Sequence, residues 1–304
     1  MSVQFPQIER RAGLSDHAFI RDHLRQRRPV VVTDAMRDWA ALGKWTPDYL
    51  KGLLGDMTVC LQGGGFQETR RMRFADYVDL LPRFESGDVP AGQEVPYLRW
   101  SDEDGGFTDA LFRCVRDDWA RPSFLPERFY LHPHVLRSDP TTLRHPASGI
   151  YVSPKGAVTK LHADSGLTNA VLCQVHGRKR CFLISPDQAP LFPDLKSRTP
   201  EPWDSPRLRE AYAGARVLET VLEPGDILFI PGCWLHEVYT LSASVSLTYN
   251  FAHVTEAARY MPFAVHYVAS EAARQLSPPV LRRPVLRLLE GYARLGRRLN
   301  LEGF

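Results

Sequence analysis

Ala157-Val158-Thr159-Lys160-Leu161-His162-Ala163-Asp164 has the composition of a strand, and Gly166 breaks it. In an extended strand residues i and i+2 face the same side, so His162 and Asp164 can reach one point in space. A second stretch, Gly225-Asp226-Ile227-Leu228-Phe229-Ile230-Pro231-Gly232-Cys233-Trp234-Leu235-His236, reads as two short apolar strands around a Pro-Gly turn. It delivers another imidazole. Two imidazoles and one carboxylate are the donor set that holds non-haem Fe(II) on one face and leaves coordination positions open. A lone His-x-Asp is commonly a hydrogen-bonded surface pair; His236 is what turns this one into a ligand set. His145 and His176 each border a turn residue and carry no assigned role.

Composition narrows the rest. The 304 residues suffice for one large domain or two small ones, and 44% hydrophobic with 24% charged content is ordinary for a folded soluble chain. No apolar run approaches the roughly 18–20 residues needed to cross a bilayer. Met1-Ser2-Val3-Gln4-Phe5-Pro6 lacks the regions of a secretory leader. Five scattered cysteines without C-x-x-C spacing read as reduced thiols of a cytoplasmic protein, and they leave no paired ligands for a zinc module. A net charge of +3 gives no argument for nucleic acid, and the arginines near the end read as a solvated helix face.

Three zones are visible, without internal repeats. Up to about Asp88, helices and strands mix: Ser15 caps a helix through Arg27, Pro29 to Thr33 is a buried strand, and Thr46-Pro47 opens a helix. From about Val95 to His253 short strands follow one another, near Gly149–Ser153, Val158–Asp164, Asn169–Val175, Arg180–Ile184, Val217–Leu222, Asp226–Ile230, Leu235–Thr240 and Val245–Phe251. Such a series predicts a mainly β, cupin-like jelly roll (a double-stranded β-helix) with flanking helices. In the last strand Ser244, Ser246, Thr248 and Asn250 share one face, while Val245, Leu247, Tyr249 and Phe251 share the other. A polar face inward and an apolar face under helices suits a barrel that holds a charged ligand. From Thr255 to Phe304 two helices are expected, divided at Ser277-Pro278-Pro279, with an apolar stripe of Val285, Leu288, Leu289, Tyr292, Leu295 and Leu299. The domain expectation is a catalytic unit over 1–254 with an N-terminal α/β elaboration, and a C-terminal helical region over 255–304.

Strand-His-x-Asp, a Gln-x-x-Gly-x-Lys-Arg run and Pro-Gly-Asp-apolar-Phe-Ile-Pro-x-x-Trp-x-His together resemble the cupin-like Jumonji-C family of Fe(II)- and 2-oxoglutarate-dependent oxygenases. Within it, the asparaginyl hydroxylase of the hypoxia-inducible factor and its bacterial relatives are the most similar branch. The likeness runs from Arg28-Pro29-Val30-Val31-Val32, through Trp45 and Tyr97-Leu98-Arg99, to Asn250-Phe251. It implies that His162, Asp164 and His236 are the iron ligands and that Lys179 binds the distal carboxylate of 2-oxoglutarate, helped by Thr159 and Tyr97. Asn169 and Asn250 match family asparagines near the metal and cosubstrate, and Arg99 could face cosubstrate or substrate. Strict alternation puts Thr159 opposite His162, so a local bulge must turn it inward.

The resemblance implies oxidation by O2, with succinate and carbon dioxide released and a side-chain carbon of a peptide or protein hydroxylated. A small molecule is the alternative substrate, and the ligand set does not separate hydroxylation from N-demethylation. The Pro-rich segment from Ser185 to Gly214 is long enough to rim a site. A homodimer through the C-terminal helices is implied by the same branch. Two rivals remain: a non-redox cupin metalloenzyme, which has no need of Lys179, and a binding protein that keeps the barrel without turnover. No Ser-His-Asp or Cys-His arrangement competes.

Overall fold

The computed structural model describes residues 5–88, 95–99, 106–127, 130–131, 148–164, 168–192, 203, 205–211, 214–256, 284 and 287–288. The N-terminal part contributes β1 (Arg10–Arg11), α1 (Asp16–Phe19), β2 (Val30–Val32), α2 (Ala41–Lys44), α3 (Pro47–Leu54), β3 (Thr58–Gln62), β4 (Glu68–Arg73) and α4 (Phe74–Ser86). Then come β5 (Tyr97–Leu98), α5 (Phe107–Val115) and β6 (Tyr130–Leu131). The barrel strands are β7 (Ser148–Ser153), β8 (Val158–His162), β9 (Asn169–His176), β10 (Lys179–Ile184), β11 (Val217–Leu222), β12 (Ile227–Ile230), β13 (Leu235–Thr240) and β14 (Ser244–His253), with α6 (Pro206–Ala211) between β10 and β11.

β7 pairs with β14, β8 with β13, β9 with β12 and β10 with β11, all antiparallel. This nested pairing is that of a jelly roll. It splits the strands between a small sheet, β11-β10-β13-β8, and a large one, β1-β2-β12-β9-β14-β7-β5-β3-β4, in which β6 also pairs with β14. The N-terminal strands thus extend both edges of the large sheet.

Period-2 alternation sorts the side chains into three packing layers. Val171, Cys173, Val245, Leu247 and Phe251 leave the large sheet outward and pack on Phe19, Trp45, Leu50, Phe74 and Phe107 from the helices and their flanks. Ala170, Leu172, Cys181, Leu183, Leu228, Ile230 and Val238 fill the closed end of the barrel. Leu161, Phe182, Ile184 and Leu235 face out of the small sheet and are covered by Phe192, Trp203 and Leu208. Among the described residues of the Ser185–Gly214 segment, Phe192, Trp203 and Leu208 roof the outer face of the small sheet, where its apolar side chains find their partners.

Local signals worked where capping chemistry is strong. The Ser15 hydroxyl accepts the Ala18 N–H, and Thr46 accepts the Tyr49 N–H ahead of Pro47. The first helix does not run regularly to Arg27: after Phe19 it widens into a π-turn over Ile20–Leu24, which turns both His23 and Leu24 into the core. Among the C-terminal residues Pro284, Arg287 and Leu288 are helical. The remainder of the expected helix pair lies outside the described residues.

Candidate metal centre and cosubstrate pocket

His162 ends β8, and its Cα partner across the ladder is His236 in β13, so the two rings stand 4.2 Å apart between centroids. Asp164 follows β8 in irregular chain, beyond the strand end at His162. It still reaches the pair: its Oδ1 is 3.6 Å from His162 Nε2 and 3.8 Å from His236 Nε2. One ligand atom from each of the three falls within 4.8 Å of the others. Both rings use Nδ1 on a carbonyl of their own strand, Lys160 O at 2.8 Å and Trp234 O at 3.1 Å. That bond places the proton on Nδ1 and leaves the Nε2 lone pair aimed into the site. Burial, reinforced by His162, holds the His236 imidazole down at about 4, the neutral form a metal needs. Burial alone would raise the Asp164 carboxyl, yet His236, His162 and an Asn250 hydrogen bond hold it below the usual carboxylate range. Two imidazoles that present Nε2 to one carboxylate fit a divalent iron.

The turn before β10 needs Gly177, whose φ is +69° and where any side chain would collide with the Ala243 carbonyl. It delivers Lys179, which is fully buried. The ammonium lies 2.5 Å from the Tyr97 hydroxyl and 3.2 Å from Ser153 Oγ, which itself meets Thr240 Oγ1 at 3.1 Å. Among the described residues no carboxylate pairs with Lys179. A buried cation without a counter-ion is costly, and an anionic ligand would supply one. From here the inward face of β14 runs as Ser244, Ser246, Thr248 and Asn250 toward Asp164. The hydroxyls of Ser246 and Thr248 are buried and have no partner among the described residues. A dicarboxylate with a polar middle, anchored on Lys179 and pointing to the triad, fits this lining.

The family profile described as a cupin-like domain matches residues 16–257. The chain belongs to that family. The cupin-like chain is 23% identical over 257 residues to the 2-oxoglutarate and iron-dependent oxygenase JMJD4 of Mus musculus, covering 77% of this chain and 58% of that protein. It is 27% identical over 271 residues to the lysine-specific demethylase JMJ30 of Arabidopsis thaliana (84% and 57%). With JmjC domain-containing protein A of Dictyostelium discoideum it shares 25% over 243 residues (74% and 88%). The chain thus spans little more than half the length of the JMJD4 and JMJ30 relatives. Relatives of this chain thus include a protein named as a 2-oxoglutarate and iron-dependent oxygenase and one named as a JmjC domain-containing protein, and the His162-Asp164-His236 cluster lies within the matched cupin-like domain. They do not single out the asparaginyl hydroxylase branch.

In this cupin-like domain Thr159 is turned inward as the pattern required. Thr159 lies opposite Val238 and His162 opposite His236, so Lys160 and Leu161 both oppose Glu237 in a β-bulge. Thr159 Oγ1 accepts from Arg99 at 2.9 Å. Arg99 is buried, donates to the Gly63 carbonyl at 2.7 Å and lies 4.0 Å over the Tyr97 ring and 4.6 Å over Phe66. It clamps Thr159 and Tyr97 to the β3–β4 hairpin. Asn250 sits by Asp164 and donates to Thr168 at 3.1 Å. Asn169 is fully buried at the start of β9. Its amide donates to Phe251 O and Glu256, and its oxygen accepts the Gly232 N–H at 2.9 Å. Its oxygen thus braces the turn that leads to His236, while its nitrogen holds the end of β14 and Glu256.

Four site residues escaped the sequence reading. Ser153 and Thr240 line the lysine end, and Tyr151 stands edge-on to Tyr97 at 6.3 Å, its hydroxyl pushed up by burial and by Tyr97 and Asp164. Phe66 is the fourth. It sits at the hairpin tip with a left-handed φ of 69°, its ring 4.9 Å from that of His162, and remains 45% exposed.

Proposed function

We propose that the protein hydroxylates a side-chain carbon of a peptide or protein, using 2-oxoglutarate and O2 and releasing succinate and carbon dioxide. The buried, uncompensated Lys179 carries this reading, because a non-redox cupin has no use for a cation at that depth. Bound iron would supply the redox chemistry by which O2 oxidises both the 2-oxo acid and a substrate C–H bond. His162, Asp164 and His236 would hold it, with the Nδ1 contacts fixing both imidazoles. Lys179, Tyr97, Ser153 and Thr240 bind the distal carboxylate, and Thr159 and the β14 hydroxyls orient the rest. Phe66 faces solvent at the mouth and offers its ring to the substrate beside the carbon to be oxidised. The enzyme works in the cytoplasm, where its thiols stay reduced. It does so as a homodimer formed by the region 255–304, with 1–254 as the catalytic unit.

N-demethylation is the second reading, favoured by relatives named as lysine- and arginine-specific demethylases. A small-molecule hydroxylation would use the same residues. Anaerobic titration with Fe(II) and 2-oxoglutarate tests the class: both together, and neither alone, should give a weak charge-transfer band toward the red. Mass spectrometry of a turned-over peptide library tests the reaction. Gain of one oxygen supports hydroxylation; loss of a methylene with formaldehyde assigns demethylation.

A further inference from the structure

Glu237 directly follows the ligand His236 yet points the other way, into the apolar layer behind the small sheet, where it is fully buried. It is the residue opposite the two-residue bulge of β8. A bulge removes backbone amides from the ladder, and a buried amide requires another acceptor. Both have one. Lys160 N–H reaches Gly64 O of the β3–β4 hairpin at 3.0 Å, and Leu161 N–H reaches Glu237 Oε1 at 3.2 Å. The second carboxylate oxygen accepts Trp203 Nε1–H at 2.8 Å and the Tyr239 hydroxyl at 2.9 Å.

We infer that Glu237 is a positioning residue, whose carboxylate takes the Leu161 amide and so holds the bulge that aims His162 and Thr159 into the barrel. The role rests on the triad reading proposed above. Without the acceptor, the cheapest way to satisfy Leu161 N–H is to slip β8 back into regular register. A one-residue slip sends every following side chain to the opposite face, so the loss falls on metal and cosubstrate together. Trp203 and Tyr239 fix the carboxylate, which gives the roof over the small sheet a hold on the site from behind.

The test uses the full chain as Glu237→Ala and Glu237→Gln. Hydrogen–deuterium exchange over residues 158–163 is read in metal-free protein, and Co(II) affinity is read from its visible bands. Glu237→Ala should exchange faster in that segment and bind Co(II) about tenfold or more weakly, as losses behind a metal ligand do. Glu237→Gln is made together with Trp203→Phe, which removes the indole N–H that would otherwise face the new NH2; this protein keeps an oxygen for the Leu161 amide and should stay close to wild type in both. A folded Glu237→Ala protein with wild-type exchange and Co(II) affinity overturns the inference. Should Glu237→Ala not fold, the Glu237→Gln, Trp203→Phe protein decides, since unprotected exchange at 158–163 in it overturns the inference equally. A wild type that protects this segment but binds no Co(II) would sink the triad reading and leave the brace standing.

Discussion

Lys179 Nζ stands 2.5 Å from the hydroxyl of Tyr97, and the two sit on elements that belong to different sheets. Lys179 and Arg99 offset the burial that would otherwise raise the Tyr97 phenol, and hold it below its ordinary value. The pair is therefore a donor-rich socket for an anion. Lys179→Ala should raise the 2-oxoglutarate requirement by about two to three decades, the equivalent of about 3–4 kcal/mol for a buried charge that loses its partner. Fe(II) binding should change much less. Arginine should rescue poorly, because a planar fork does not fit the space of an ammonium. An unchanged 2-oxoglutarate requirement in Lys179→Ala would give the role to another cation.

His162→Ala, Asp164→Ala and His236→Ala should each remove bound iron and 2-oxoglutarate turnover while the far-ultraviolet circular dichroism stays that of the wild type. The site hangs on strands whose pairing does not depend on these side chains. Stoichiometric iron in purified Asp164→Ala would take the aspartate out of the ligand set.

Phe66→Ala should raise the substrate KM about fivefold, the loss of roughly 1 kcal/mol of aromatic contact. The KM for 2-oxoglutarate should move little, because Arg99 keeps its bonds to Gly63 and Thr159. Equal rises in both constants would mean that the ring holds the hairpin and does not meet the substrate.

Burial holds the His23 imidazole below its ordinary value of 6.5, against the opposing pull of the Arg28 carbonyl. The folded state therefore keeps His23 neutral where the unfolded chain already takes up a proton. Stability from this group is complete above pH 6.5 and is lost as pH falls below it. His23→Leu should flatten the acid limb of a urea-melt series by at most one proton's worth, about 1.4 kcal/mol per pH unit. Parallel limbs for wild type and variant would remove His23 as a source of the slope.

Leu288 is 75% exposed, a large apolar side chain in contact with water at the start of the C-terminal stripe. If that stripe is a self-complementary patch, light scattering should find a dimer in the wild type and a monomer in Leu295→Asp. A monomeric wild type at micromolar concentration would assign the stripe to packing within one chain.

The barrel was legible because its strands alternate cleanly. All eight expected stretches between Gly149 and Phe251 appear, and β14 buries Val245, Leu247 and Phe251 on the side opposite its hydroxyls. The bulge could be anticipated from Thr159 and His162, which must share a face while sitting three apart. Ser153 and Thr240 could not, since they meet across 87 positions of chain only after two sheets have stacked. Glu237 alternates with His236 along β13 and so faces out of the barrel. Only the roof laid down by Trp203 makes that outward face an interior. The bonds of Asn169 to Glu256 and to the Gly232 turn could not be read either, because they join points of the chain 87 and 63 positions apart. The π-turn at Ile20 left no periodic trace, for one extra residue per turn moves two side chains inward without altering their composition.

The tip of the β3–β4 hairpin is moored to the rest of the molecule by two of its own carbonyls, Gly63 O on Arg99 and Gly64 O on the Lys160 amide. Neither bond reads the identity of a tip side chain. An exchange at Phe66 therefore leaves both of these backbone moorings of the hairpin in place. The entrance can be rewritten for new clients while the machinery beneath it stays in place.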